Sequence, residues 1–495
     1  MSSDFQPKTL SDIPPERRPS LGEALLPILG VVVFLGVGSG YLGLAPHAPL
    51  LWSIVFAGLV GLTRLDLTYA DLYDAVANGL IMGLQALLIL FTIYALIATW
   101  VSSGTIPGLM YYGLGILTPE IFLPITALLA AVVAFSIGSS WTTAGTLGVA
   151  FIGIGSGLGI PAPMTAGAIL SGAYAGDKQS PLSDTTNLAA AVTNTDLYDH
   201  IDAMKVGTAL ALGLSVIVYA VLGLRAGGAI PAGQVESIRG ALAGTYATSP
   251  LVFLPLVVTF GLALYGIPAL PTLVTGVFAG AFTTILLQGA KFTTAWTVFL
   301  NGTGPETGVK LVNDLLATGG LTGSAWTITV VVLALSLGGL LEGMGVLAVL
   351  ANELLDRVWS ENSLVAGTGI AAFVTNVFSA QQYMSIVLPG VSLRNAYDEY
   401  DLDSRNLSRA VEAVGTPTGA LIPWHAGAVY MSGVFGVPTL TGSITLPTLA
   451  GGIDLANFSV SIGGYAPYYA FAFLSPLILF VMAATGYGFV AKSDA

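Results

Sequence analysis

The sequence predicts an all-α polytopic membrane protein of about 11 to 13 transmembrane segments, with broken helices and an inverted repeat. Three observations predict it. The 495 residues are 54% hydrophobic and only 8% charged, whereas a soluble domain carries about 25% charged residues to cover its surface. Apolar runs of the length that crosses a bilayer as a helix recur along the whole chain. Two polar, Gly- and Pro-broken stretches interrupt those runs in a similar order in each half. The 62 glycines and 26 prolines agree with this class, because both residues are commoner in transmembrane helices than in soluble ones. No alternating strand pattern supports a transmembrane barrel.

Taken in order, residues 1–20 form a polar, Pro-rich tail without a signal-peptide pattern. Lys8, Arg17 and Arg18 stand just before the first apolar run, which predicts a cytoplasmic N-terminus in a multi-pass protein of the cell membrane. A first membrane repeat is expected over 21–224, a connecting loop over 225–248 and a second repeat over 249–491. The clear spans are Ala24–Leu44, Leu50–Leu62, Gly79–Val101, Ile121–Ile137, Val206–Leu224, Leu251–Tyr265, Leu270–Leu287, Thr327–Val346, Ser363–Val387 and Pro467–Val490. Shorter interrupted pieces lie at Ile106–Leu117, Gly145–Ala175 and Ala410–Val437. Laying Phe135 on Phe373 brings Gly176 to within one residue of Gly415, the register expected for the repeat.

Backbone that leaves a helix at membrane depth must be buried in protein or line a cavity, and paired breaks mark binding sites in transporters. The first half places Asp177 after an apolar run and Asp184 beyond Pro181, with Ser180, Ser183, Thr185, Thr186 and Asn187 supplying further oxygens. Such a set suits a hard cation, by the logic that governs calcium and magnesium sites; the alternative is a capped polar loop. Asp184 is expected at a helix start and Asp177 at a helix end, where the dipole disfavours an anion and favours a bound cation or proton. Lys178 is either the counter-charge of Asp177 or a lysine reaching the interface.

In the second half Arg409 and Glu412, at i and i+3, can pair on one helix face. Glu342 stands alone in the run from Val330 to Leu350 and is a proton-carrier candidate. His425 is either a ligand or a packing residue. Thr142 and Gln382 are the weaker polar candidates, with Ser139, Thr143, Asn376 and Gln381 read as helix-to-helix hydrogen bonders. Trp141, Trp326 and Trp359 read as packing or interfacial aromatics.

The stretch Ser171-Gly172-Ala173-Tyr174-Ala175-Gly176-Asp177-Lys178-Gln179-Ser180-Pro181-Leu182-Ser183-Asp184-Thr185-Thr186-Asn187 resembles the signature of the NhaC-type sodium/proton antiporter family. Asn406–Arg409 through Glu412, then Leu421-Ile422-Pro423-Trp424, is similar to that family's second-half motif, departing from it at Ala413 and His425. The resemblance implies a secondary transporter exchanging Na+ for H+ by alternating access. Asp177 and Asp184 would hold the Na+, and two inverted repeats would bring the broken helices together. Related members exchange small organic acids such as malate and lactate. In that alternative Arg409 would grip the carboxylate.

Na+, H+ and the lipid bilayer are then the partners, with no cofactor beyond the transported ions and a homodimer left open. The absence of cysteine excludes thiolate metal sites and thiol catalysis. No basic patch points to nucleic acid, since the net charge is −12. An enzyme is not expected: an aspartyl protease needs two aspartates on separate helices sharing a water, and Asp177 and Asp184 flank one proline break.

Overall fold

A computed structural model describes residues 8–226, 233–445, 448–449, 452–453 and 459–492. Residues 1–7 of the expected tail and 227–232 of the expected connecting loop lie outside the described residues. Seven described helices are long and apolar enough to cross a bilayer: Pro15–Tyr41, His47–Arg64, Leu84–Ser102, Pro119–Ile137, Leu197–Ala226, Ala269–Gln288 and Ala325–Gly343. An eighth crossing is formed if Gln234–Thr245 and Pro250–Leu264, bent by 86°, count as one span. The expected connecting loop thus contains a helix. Large apolar side chains such as Leu29, Val132, Ile217 and Leu286 stand outward on these helices, a surface that lipid, not water, can cover. The chain is a multi-pass helical membrane protein.

Two features depart from the expected outline. The span expected as Ser363–Val387 is two helices, Glu361–Ser379 and Gln382–Ser392, separated by Ala380 at φ 55 and extended Gln381. A short hairpin of strands Thr441–Thr445 and Ser459–Gly463 follows the helix Ala426–Phe435. Its Thr- and Ser-rich sequence lacks the hydrophobic length of a span.

The internal repeat is present, in a different register from the one expected. Helices begin at Pro119, Ser140, Ala162 and Asp184 in the first half. They begin at Glu361, Gln382, Ser404 and Ala426 in the second, each 242 residues later. Gly138 therefore corresponds to Ala380, not to Asn376 as the Phe135–Phe373 alignment gave. Side-chain likeness misled by four residues because the repeat is conserved in backbone breaks: Gly138 at φ 72 and Ala380 at φ 55 are both left-handed and each precedes an extended residue.

The halves also pack alike. Pro119–Ile137 lies along Ala162–Asp177, and Glu361–Ser379 lies along Ser404–Thr418. The first pair is close enough that a Cβ on Gly176 would stand 2.0 Å from the Ala131 carbonyl oxygen. Small residues at such seams let backbones approach in a membrane, where no hydrophobic force drives helices together.

Candidate functional site

Each half contributes two breaks to one cleft. In the first half the break at Gly138–Ser139 abuts the turn at Leu182: a Cβ on Gly138 would lie 2.5 Å from the Leu182 carbonyl carbon. In the second, the amide of Ala426 donates to the Ala380 carbonyl at 3.1 Å, and Trp424 Nε1 donates to Val377 O at 2.7 Å. The four breaks converge on a cleft lined by Ser139, Ser140, Trp141, Asp177, Asp184, Thr185, Gln381, Gln382, Tyr383 and His425. The helices starting at Asp184, Gln382 and Ala426 all begin at its wall. Their positive dipole ends therefore lie beside the space between them, and the first-turn amides at Gln382 have no side-chain cap.

The two aspartates play different parts. Asp177 ends its helix and is 2% exposed. Its Oδ2 accepts from the Ser140 amide at 2.9 Å, which ties the second break of the half to the first. Its Oδ1, the Ser140 hydroxyl and the Tyr174 hydroxyl are buried without a hydrogen-bond partner. Buried oxygens are rarely left so unless something unseen occupies them. Asp184 begins the next helix, is exposed to the cleft, and accepts a hydrogen bond from the Tyr383 hydroxyl of the opposite half.

The remaining expected residues divide into those that shape the break and those that lie elsewhere. Ser183 caps the helix at Thr186 N, 3.4 Å away. Ser180 Oγ accepts from Leu182 N at 3.2 Å, and Asn187 Nδ2 donates to Pro181 O and Ser183 O. These three build the turn. Thr185 and Thr186 instead donate to Glu412 Oε1, at 3.4 and 3.1 Å. Gln382 lines the cleft; the Thr142 hydroxyl is buried without a partner and is not among the lining residues. His425 is a packing and capping residue: Nδ1 accepts from Gly427 N at 3.0 Å, so Nε2 carries the hydrogen toward Asn376 Oδ1 at 3.1 Å. Lys178 does not reach an interface; it is 1% exposed, bonded to Ser475 Oγ at 3.2 Å and 5.6 Å from the Phe471 ring centre.

Arg409 and Glu412 do not pair. Arg409 donates to Gly488 O at 2.8 Å and Asn406 Oδ1 at 3.2 Å, while Glu412 Oε2 meets His200 Nε2 at 2.6 Å. The helix turn that separates i from i+3 leaves them to different neighbours, and Arg409 is absent from the cleft. Glu342 is not alone either. It lies at the end of its helix, where Oε1 accepts from the Lys8 amide at 2.8 Å and the Lys8 ammonium caps Gly343 O at 3.1 Å. The site is walled by the N-terminal segment, apart from the central cleft.

Sequence reasoning missed His200 and Tyr383. His200 sits among Asp196, Asp199 and Asp202, whose charges mask the helical spacing. The structure starts a helix at Leu197, and its buried stripe runs His200, Met204, Thr208, Ala211, Ser215, Tyr219. That three-to-four spacing was available in the sequence.

A family model described as the Na+/H+ antiporter family matches residues 172–453, which holds both second breaks and Glu412. The chain belongs to the Na+/H+ antiporter family. Among relatives of this antiporter, the arginine/ornithine antiporter ArcD of Halobacterium salinarum is 50% identical over 99% of this chain and 97% of its own length. The malate-2H+/Na+-lactate antiporter of Bacillus subtilis is 38% identical over 86% of this chain and 91% of its own. The Na+/H+ antiporter NhaC of Alkalihalophilus pseudofirmus is 34% identical over 96% and 97%. The antiporter is thus a secondary transporter of the NhaC type, and these relatives are named for different cargoes.

Proposed function

We propose that this antiporter exchanges small cationic amino acids of the arginine and ornithine class across the cell membrane. The observation that carries the reading is a cleft with two carboxylates and three helix starts on its wall. Asp184 and Asp177 suit the two cationic groups of a dibasic amino acid, and the first-turn amides of the helix starting at Gln382, which no side chain caps, suit its carboxylate. Trp141 and Tyr383 offer aromatic surface for a guanidinium or an aliphatic stem. The 50% identity to an arginine/ornithine antiporter supports the same class. Exchange of one monocation for another moves no net charge, so it is insensitive to the roughly 2.3 kcal/mol per charge that 100 mV supplies.

A second reading, Na+/H+ exchange, rests on a different observation: the unpartnered oxygens of Asp177, Ser140 and Tyr174 form the donor set a sodium ion takes. Malate/lactate exchange loses its expected anchor, since Arg409 lies outside the cleft. In either cation reading the repeats 21–224 and 249–491 alternate access about the breaks, with the N-terminus on the cytoplasmic side, supported by Lys8, Arg17 and Arg18 before the first span.

Proteoliposomes loaded with ornithine test the proposal. Labelled arginine is expected to enter against internal ornithine, and Asp177→Asn is expected to abolish that exchange. No arginine entry, together with sodium-driven proton movement in the same vesicles, overturns the amino-acid reading in favour of the second.

A further inference from the structure

We infer that His200 and Glu412 form a proton-binding site behind the cleft, whose single exchangeable proton competes with the cation bound beside Asp184. The inference rests on the chain being a cation antiporter, and it holds for either cation. Both side chains are completely buried, 2.6 Å apart, on helices Leu197–Ala226 and Ser404–Thr418. Such a buried pair is costly to assemble unless its remaining lone pairs and protons find partners, and here hydroxyls meet both of its outer ends. Glu412 Oε1 takes the hydroxyls of Thr186 and Thr185; His200 Nδ1 lies 2.9 Å from Ser408 Oγ.

The geometry says where the proton comes and goes. Nε2 faces a carboxylate, which only accepts, so Nε2 keeps its hydrogen in both states. Nδ1 faces a hydroxyl that can either accept or donate. In the loaded state the imidazolium donates from Nδ1 to Ser408 Oγ, whose own hydrogen points to Arg405 O at 3.1 Å. In the unloaded state Nδ1 has lost one proton, and the Ser408 hydroxyl turns to donate to it. Ser408 therefore connects the pair to the backbone carbonyl of Arg405, one helix turn earlier. Thr185 connects it to the cleft, whose wall it forms.

Coupling follows from charge. The groups around the pair are Lys178 at the end of its helix, Asp184 on the helix of Thr185, and Arg409 one turn before Glu412. Helix Gln382–Ser392 contributes Tyr383, and Tyr397 lies beyond it; helix Ala470–Thr485 contributes Ser475 and carries no titratable group. When His200 is neutral, the Glu412 charge is open to compensation from the cleft; when His200 is an imidazolium, it is already balanced. A cation at Asp184 and the proton at Nδ1 therefore disfavour each other. That is the exclusion an antiporter needs.

The chain has three histidines, His47, His200 and His425, so the imidazole nitrogens of the full-length protein in lipid can be resolved by 15N NMR, with His47→Gln and His425→Asn for assignment. Across a pH series the His200 Nδ1 resonance is expected to pass between the protonated and deprotonated forms, and added arginine or sodium is expected to favour the deprotonated one. A His200 that keeps one protonation state throughout the series overturns the site. A balance of the two forms unmoved by a cation that calorimetry shows to bind overturns the coupling. If neither cation binds, the proposed function fails while the titration still decides the proton site. In vesicles, His200→Gln is expected to lose the dependence of cation uptake on a pH gradient; a dependence equal to wild type overturns the role, and the NMR of the unmutated protein stands if the variant does not fold.

Discussion

Replacing Gly176 by alanine places a methyl group into the seam that positions Asp177. The added Cβ would stand 2.0 Å from the Ala131 carbonyl oxygen, 2.8 Å from the Ala131 carbonyl carbon and 2.8 Å from the Phe135 amide nitrogen. All three are backbone atoms, so no side chain can swing aside. Relief to an ordinary 3.4 Å contact requires the two helices to part by about 1.4 Å at that point. Overpacking of this kind costs about 1–3 kcal/mol. The functional cost should be larger, because Asp177 is the next residue and its 2.9 Å bond to the Ser140 amide spans the same seam; misplacement by about 1 Å can cost about 100-fold in rate. Gly213 is the control: it is exposed, mid-helix, and its Cβ would meet nothing within 4 Å. Gly213→Ala should be neutral or gain up to about 1 kcal/mol from helix propensity. Thermal unfolding in detergent and exchange in proteoliposomes read both quantities. A Gly176→Ala protein that melts and transports like Gly213→Ala would refute the argument that this seam sets the site.

The other expectations are briefer. Asp177→Asn should abolish cation binding and exchange while the protein still inserts, whereas Asp184→Asn should chiefly raise the apparent cation Kd; calorimetry showing full binding by Asp177→Asn removes that residue from the mechanism. Tyr383→Phe deletes the hydroxyl that reaches Asp184 from the other half, a bond to a charged group worth about 1.5–3 kcal/mol, so the apparent affinity should fall by at least about tenfold in uptake titrations. Glu342→Gln should leave the pH profile of exchange unaltered, because Glu342 lies outside the cleft and serves the Lys8 amide; faster proteolysis ahead of Arg18, with unchanged transport, is the expected signature, and a shifted pH profile would return it to the proton path.

The membrane class, the two polar break regions and the separate places of Asp177 and Asp184 at a helix end and a helix start were legible in the sequence. Each depends on local chemistry: apolar length, Pro181 stopping a helix, Ser183 capping the next. What the sequence could not settle was partnership. Arg409 and Glu412 looked paired because they stand three residues apart, yet in a packed bundle a side chain answers to the neighbouring helix, and Glu412 finds His200 from 212 residues away. Glu342 looked isolated because its sequence neighbours are apolar, yet the N-terminal segment returns to cover it. The repeat is the same case in reverse, since its register lives in backbone conformation at Gly138 and Ala380, residues that share no side-chain chemistry worth aligning. Local sequence determines where the chain must break; only the fold decides which breaks face one another, because the burial of an ion or an orphaned oxygen is a property of everything that surrounds it.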